Sequence, residues 1–252
     1  MRRGALRRMR GSPGWRCRDP AHVILGDASS NTLTYSGVGV RNHRQTAEGP
    51  TLATVLAALQ PDLRLIAILR NPVERLYSAF YYYGHYADRY GATPDGFHKF
   101  ALAQVNTFGT CAATLSRHDC AMEGYGKTEQ LAKGLYAMFL PDYFAAFKRE
   151  QLLVLRSEVY GDDMEGGLRA AMKHIGLEEP PPEVWRRMVE GKRNNSRKSN
   201  GDRRGGAAGD MRNDTRAVLN AFYRSYNEEL ARLLGDDGYL TWHQDDAPPP
   251  AR

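Results

Sequence analysis

The sequence lacks the patterns that would mark a metal site, a membrane span or a nucleotide-binding P-loop. Three of its 252 residues are cysteines, and no Cys-x-x-Cys or His-x-x-x-His spacing occurs, so we expect no metal. No stretch approaches the roughly 20 apolar residues of a transmembrane helix. Gly-x-x-x-x-Gly-Lys-Ser/Thr, whose loop binds phosphates through its backbone, is also absent.

Acidic residues are missing from the amino-terminal end, where seven arginines precede Asp19. That composition is similar to an organelle transit segment, but no apolar h-region follows, so the chain shows no secretory signal peptide. We interpret residues 1–20 as a basic disordered tail, or as an arbitrary start of a truncated gene. Residues 244–252 are polar and proline-rich and predict a second disordered tail. One domain is expected over residues 21–243.

Positive charge is in excess, with a formal net charge of +6. An excess of this sign favours anionic partners such as a nucleotide or a sulfated or carboxylated sugar. Nucleic acid is not expected as a partner, because the basic residues are scattered and no recognition motif occurs.

A short apolar run followed by a capped helix is the most informative stretch. Residues 65–69 are too few for a helix and are typical of a buried strand. Asn71 then suits an N-cap, Pro72 the first helical position and Glu74 the carboxylate of a capping box. Such a turn is an anion site, because free backbone N–H groups and the helix dipole point at it.

Two side chains at this turn have the chemistry to hold a phosphate. Arg70 ends the strand, and Ser78 lies seven residues after Asn71, on the same helix face. A guanidinium and a hydroxyl are both phosphate ligands. The alternative is an ordinary strand–helix unit whose helix carries a serine.

Other segments predict the class of the fold. Residues 51–60 form an amphipathic helix, residues 151–155 a second buried strand, and residues 164–175 a periodic helix that ends at Gly176. Alternation of strands and helices predicts an α/β fold with a parallel sheet. Cys111 and Cys120 lie nine residues apart in a predicted loop, and the sequence leaves open whether they form a disulfide or stay as thiols.

The order of these segments resembles the sulfotransferases that use 3′-phosphoadenosine 5′-phosphosulfate (PAPS). Arg-x-Pro-x-x-Arg-x-x-Ser at 70–78 is similar to their 3′-phosphate-binding segment, and Gly-Asp-Ala-Ser at 26–29 to the Gly-Glu-Ala-Ser of carbohydrate sulfotransferases. Residues 150–155 resemble the same family. The helix over 222–234 is similar to that of N-acetylgalactosamine 4-sulfate 6-O-sulfotransferase-like proteins. The resemblance runs from about residue 25 to residue 242.

This resemblance implies a P-loop-like parallel sheet flanked by helices. It implies transfer of a sulfuryl group from PAPS to a hydroxyl of a glycosaminoglycan-like carbohydrate, with no metal. Arg70 and Ser78 would bind the 3′-phosphate, and Asp27 would be the general base. The alternative for Asp27 is a turn in which it caps its own backbone.

A basic loop over residues 191–201 completes the expected donor site. The resemblance implies that Ser196, Arg197 and Lys198 close over the nucleotide. The alternative is a solvated loop, which is the usual state of a run of charges.

One part of the family pattern has no counterpart. The Lys/Gly/Thr-rich loop for the 5′-phosphosulfate does not occur, so the resemblance implies a sulfotransferase fold without its first βα unit. Two functions stay open: an active PAPS-dependent enzyme acting on an anionic glycan, and an inactive sulfotransferase-like fragment that binds anionic glycans. The resemblance implies the Golgi lumen, with membrane attachment only through a segment absent from this chain.

Overall fold

The described part of the chain is an α/β arrangement of two parallel strands and the helices around them. The structure is a computed structural model that describes residues 26–28, 32–34, 50–123, 127–190 and 209–243, without the side chains of 122 and 123. The chain divides into two units, residues 1–31 and 32–252. In the first unit, residues 26–28 are exposed and irregular. All elements below belong to the second unit.

The two strands are separated in the chain by a long helical crossover. In chain order the elements are α1 (Leu52–Leu59), β1 (Leu65–Leu69), α2 (Pro72–Tyr82), α3 (Gly84–Tyr90), α4 (Pro94–Ala112), α5 (Arg117–Glu123), α6 (Glu129–Ala132), α7 (Tyr136–Ala146), a 3-10 turn (Arg149–Gln151), β2 (Leu152–Arg156), α8 (Ser157–Asp162), α9 (Met164–Ile175), α10 (Pro182–Val189), α11 (Asn213–Leu234) and a 3-10 segment (Asp237–His243).

The sheet confirms the predicted parallel pairing. Leu65 pairs with Leu152, and Leu69 pairs with Arg156. Because the pairing is parallel, the residues that follow the two strands emerge at the same edge of the sheet. The turn between β1 and α2 lies at this edge.

β1 is buried on one face only, so the prediction of a fully buried strand is wrong for the other face. Leu69 is 1% exposed, whereas Ile66 and Ile68 are 39% and 53% exposed. Leu65 and Ala67 pack into the core with Leu69, as strand periodicity requires. The described helices therefore cover a single face of this strand.

Two helices connect the two clusters of the hydrophobic core. α11 places Leu219 and Tyr223 in a cluster with residues of α2 and α4, and it places Leu230 in a cluster with the sheet. α7 contributes Phe139 to the first cluster and Leu140 to the second. Each fully buried side chain of this size contributes roughly 1.5–3 kcal/mol of hydrophobic free energy. The sheet is thus held against the helices through α7 and α11.

The cysteine segment is mostly helical rather than the predicted loop. α4 extends to Ala112 and α5 begins at Arg117, which leaves a short connection between them. Cys111 and Cys120 form a disulfide with a Cα–Cα distance of 5.7 Å, which decides the alternative that the sequence left open.

Among the helices that the structure describes, we find none with the length and apolar character of a bilayer span.

The disulfide is expected to stabilise the fold modestly. Changing both Cys111 and Cys120 to serine should lower the free energy of unfolding by about 2–3 kcal/mol, because the crosslink closes a short loop in the unfolded chain. Urea unfolding measures the difference. Reduction of the wild-type protein should give the same loss, and a reductant should leave the double variant unchanged. Equal stability of all forms would contradict this prediction.

Two buried tyrosines should make the fold sensitive to alkali. Burial raises the pKa of Tyr143 and of Tyr239 from 10.0 to about 12. Since the folded-state pKa is the higher one, the contribution to stability is complete below pH 10 and is lost as the pH rises towards about 12. The thermal unfolding midpoint of the wild-type protein should fall as the pH rises through this range. In the double variant Tyr143→Phe/Tyr239→Phe, the midpoint should fall less steeply over the same range. An equally steep fall in that variant would contradict the assignment.

Candidate functional site

The turn between β1 and α2, residues 70–72, has the cap that the sequence predicts. Asn71 Oδ1 accepts hydrogen bonds from the N–H groups of Val73 and Glu74 at 3.0 and 3.5 Å. Pro72 occupies the start of α2, where no intrahelical N–H donor is needed. The strand therefore passes into the helix without an intervening loop.

Three elements that are distant in sequence hold this turn in place. The Tyr136 hydroxyl, from α7, donates to the Arg70 carbonyl at 2.9 Å. Asn71 Nδ2 donates to the Trp242 carbonyl at 3.2 Å. The Asn71 N–H donates to Glu158 Oε1 at 2.7 Å. The carbonyl and the N–H of the peptide group between Arg70 and Asn71 are thus both held by the tertiary structure.

Glu158 takes the role that the sequence assigned to Glu74. The predicted capping-box carboxylate would accept the Asn71 N–H, but Glu74 instead forms an ion pair with Arg216 at 2.7 Å. Glu158 follows β2, and Arg156 at the end of β2 is the register partner of Leu69. The parallel sheet therefore brings Glu158 to the turn. The signal that would have found it is its position just after the second predicted strand.

The backbone N–H groups at this helix start are not free, so this part of the predicted anion site is wrong. Pro72 has no N–H, Val73 and Glu74 donate to Asn71, and Asn71 donates to Glu158. The Arg75 N–H donates to the Asn71 carbonyl at 2.8 Å. An anion at the turn would depend on side chains and on the helix dipole.

Arg70 and Ser78 lie on the same strand–turn–helix unit. Arg70 is half-buried and Ser78 is exposed. The rise of an α-helix puts Ser78 about 10 Å along the axis from Asn71. Two surface concavities among the described residues, of about 430 and 460 Å³, are not lined by Arg70 or Ser78. Their role at a phosphate stays a prediction.

The roles of the other predicted site residues, Asp27 and Ser196 to Lys198, stay predictions. Asp27 is exposed in the first unit of the chain. Ser196, Arg197 and Lys198 lie outside the described residues. The description resumes at Gly209, whose carbonyl accepts a hydrogen bond from the Tyr77 hydroxyl. Because Tyr77 adjoins Ser78, the chain that follows the basic segment is attached to α2 beside the predicted site.

Arg75 lies inside the motif, although the sequence alone assigns it no role. Its guanidinium donates to the Gln130 side chain at 3.3 Å and also to the Gln130 carbonyl, while its Nε is buried without a hydrogen-bond partner in the described part of the chain. Burial raises the pKa of Tyr136 and of Tyr223, and the positive charge of Arg75 acts against that rise. Both hydroxyls are protonated at neutral pH, as unperturbed tyrosines also are, and both act as donors.

Close packing behind the turn requires a glycine at position 134. A Cβ on Gly134 would lie 2.8 Å from Pro72 Cβ and 2.9 Å from the Tyr223 hydroxyl. That hydroxyl donates to the Leu131 carbonyl at 2.8 Å. The segment between α6 and α7 thus lies directly against the start of α2.

The residues described give no cluster of three or more His, Cys, Asp or Glu side chains that would suit a metal ion. The chemistry available at this strand–turn–helix unit is that of the Arg70 guanidinium, the Ser78 hydroxyl and the positive end of the helix dipole. These groups bind anions.

Comparison with known proteins identifies relatives of one kind. The chain is 28% identical over 226 residues to carbohydrate sulfotransferase 15 of Homo sapiens, covering 86% of this chain and 38% of that protein. It is 26% identical over 203 residues to bifunctional heparan sulfate N-deacetylase/N-sulfotransferase 1 of Homo sapiens, covering 75% and 21%. The chain thus spans well under half the length of these relatives. No protein-family model matches the sequence.

Among solved structures, the chain is similar to a sulfotransferase from Alicyclobacillus acidocaldarius, with a TM-score of 0.45 and 21% sequence identity. The match covers 74% of this chain and 60% of that one.

Removal of the Asn71 side chain should cost more than removal of an ordinary cap. Asn71→Ala loses the cap and also the bond to Trp242, and should lower the free energy of unfolding by about 2 kcal/mol. Thr93→Ala is the matched control, because Thr93 caps α4 through Gly96 N–H at 3.0 Å and is exposed; it should cost about 1 kcal/mol. Urea unfolding compares the two. Equal losses would show that the contact with Trp242 adds nothing.

Proposed function

We propose that this chain, a homologue of the carbohydrate sulfotransferases, transfers a sulfuryl group from PAPS to a hydroxyl of a glycosaminoglycan-like acceptor. The observation that carries the proposal is the strand–turn–helix unit of residues 65–78. Its motif matches the family's 3′-phosphate segment, and its turn lies at the carboxyl edge of a parallel sheet. Ligands of α/β proteins bind at that edge.

In this proposal Arg70 and Ser78 hold the 3′-phosphate of PAPS. The guanidinium offers two parallel donors to phosphate oxygens, and the hydroxyl offers a third. The hydrogen bonds from Tyr136 and to Glu158 support the assignment, because they fix the backbone from which the Arg70 side chain extends. A positioned guanidinium loses less conformational entropy when it binds.

The transfer step needs positioning and charge stabilisation more than covalent chemistry. The bond from sulfur to the 5′-phosphate oxygen of PAPS breaks, and a bond from sulfur to the acceptor oxygen forms. The acceptor proton passes to the Asp27 carboxylate as general base. Arg197 and Lys198 neutralise the nucleotide's charge, and Ser196 binds the same nucleotide. Gly209, which follows that segment in the chain, accepts a hydrogen bond from Tyr77 next to Ser78, and this contact supports the last role.

The disulfide between Cys111 and Cys120 supports an oxidising compartment, and we propose the Golgi lumen.

The second candidate function is a module that binds anionic glycans without catalysis. It is favoured by the excess of positive charge, a formal net charge of +6, which suits an anionic glycan whether or not a sulfuryl group is transferred. Incubation with PAPS and a desulfated polysaccharide separates the two, because only the enzyme incorporates sulfate.

The donor assignment predicts a specific loss of affinity. Arg70→Ala should weaken binding of 3′-phosphoadenosine 5′-phosphate about 10- to 100-fold, because a hydrogen-bonded charge contact is lost. Binding of adenosine 5′-phosphate, which has no 3′-phosphate, should be unchanged. Titration calorimetry on the full chain measures both ligands.

Ser78→Ala should produce a smaller loss for the first ligand alone. Arg224→Ala, at an exposed position of α11, is the control and should alter neither affinity. If Arg70→Ala weakens both nucleotides equally, or neither, the guanidinium does not bind the 3′-phosphate.

A further inference from the structure

A trough runs along α9, near the amino ends of the two strands. The concavity of about 460 Å³ has an apolar floor formed by Leu153, Ala170 and Ile175. The neighbouring concavity of about 430 Å³ shares Ala170 and Lys173 with it, so the two adjoin along α9, and together they are called the trough. Leu153 pairs with Ile66, which is 39% exposed, so the floor adjoins the uncovered face of β1.

The rim of this trough is basic. Arg64, just before β1, is exposed, and its Nη1 donates to the Glu150 carbonyl at 3.3 Å. Lys173 and His174 come from the last turn of α9. Within the described ranges neither Arg64 nor Lys173 forms an ion pair, so their charges are not compensated by a carboxylate there.

A neighbouring cation on the same helix behaves differently. Arg169 pairs with Glu165 at 2.8 Å and also with Glu179, and its guanidinium stacks over the Trp185 ring. Glu179 lines the adjoining concavity, and it shares the single positive charge of Arg169 with Glu165. One carboxylate charge is left over from that group, and Arg64 and Lys173 add two positive charges, so the trough keeps a net positive charge.

Helix electrostatics explain only part of this charge. Lys173 near the carboxyl end of α9 offsets the negative end of the helix dipole. Arg64 belongs to no helix, and it adds a second cation to the same concavity. Two cations over an apolar floor suit a ligand with acidic groups on a partly apolar frame, as in an acidic polysaccharide.

We propose that this trough binds sulfate or carboxylate groups of a polysaccharide acceptor at a distance from the transfer site. The inference rests on the proposed function, since it names a second contact for the same acceptor. Arg64 precedes β1 and Arg70 follows it, and a five-residue strand spans about 16 Å. A single sugar does not bridge that distance, whereas a polymer does.

The test compares two double charge reversals of equal net change. Arg64→Glu/Lys173→Glu should bind a size-defined heparin oligosaccharide about tenfold more weakly in titration calorimetry, because two charged contacts are lost. Arg224→Glu/Arg232→Glu, at exposed positions of α11, is the matched control and should bind within about twofold of wild type, since non-specific attraction between separated charges is screened. Arg64→Lys/Lys173→Arg keeps both charges and should retain wild-type affinity. Equal weakening by both reversals would overturn the proposal.

Sulfation assays separate this inference from the proposed function. In the trough reversal KM should rise for a long polysaccharide and stay unchanged for a disaccharide acceptor, with PAPS affinity unaltered. A chain that incorporates no sulfate but loses heparin binding in the trough reversal alone would contradict the enzyme and support the trough. A chain that sulfates both acceptors with unchanged KM in that variant would support the enzyme and overturn the trough.

Discussion

The structure depends on hydrogen bonds to two consecutive residues at the end of β1. Arg70 and Asn71 are bonded to residues 66, 87 and 171 positions away, in α7, after β2 and in the carboxyl-terminal 3-10 segment. Each hydrogen bond contributes about 1 kcal/mol to the free energy of unfolding, and the three together restrict the conformation of the turn. Any group attached to this turn is therefore positioned by most of the second unit of the chain.

The same bonds decide which groups are available to a ligand. Since the first N–H groups of α2 are used within the protein, recognition of an anion falls to the side chains of Arg70 and Ser78. Tyr136 and Tyr223 donate hydrogen bonds behind the turn, to the carbonyls of Arg70 and Leu131, and burial raises the pKa of both hydroxyls. The hydrogen bonds that make this backbone rigid also make the N–H groups of Asn71, Val73 and Glu74 unavailable to a ligand.

The two edges of the sheet carry different chemistry. At the carboxyl edge, Glu158 accepts the Asn71 N–H, Glu74 is paired with Arg216 and Asn71 is buried, which suits precise positioning of one small group. Near the amino edge, Arg64 and Lys173 rim an open surface with an apolar floor, which suits a long and repetitive ligand. A parallel sheet produces this division because all strand ends of one kind emerge together.

Local sequence was enough to predict the features that depend on neighbouring residues. The strand at Leu65–Leu69, the cap at Asn71 and the helix that ends at Gly176 were all confirmed, since propensity and capping act within a few residues. The placements of Asp27 and of Ser196–Lys198 stay predictions. Only the tertiary structure replaced Glu74 by Glu158, closed the disulfide and left one face of β1 uncovered. Those outcomes depend on which distant segments the crossover brings together, and a local pattern carries no information about that.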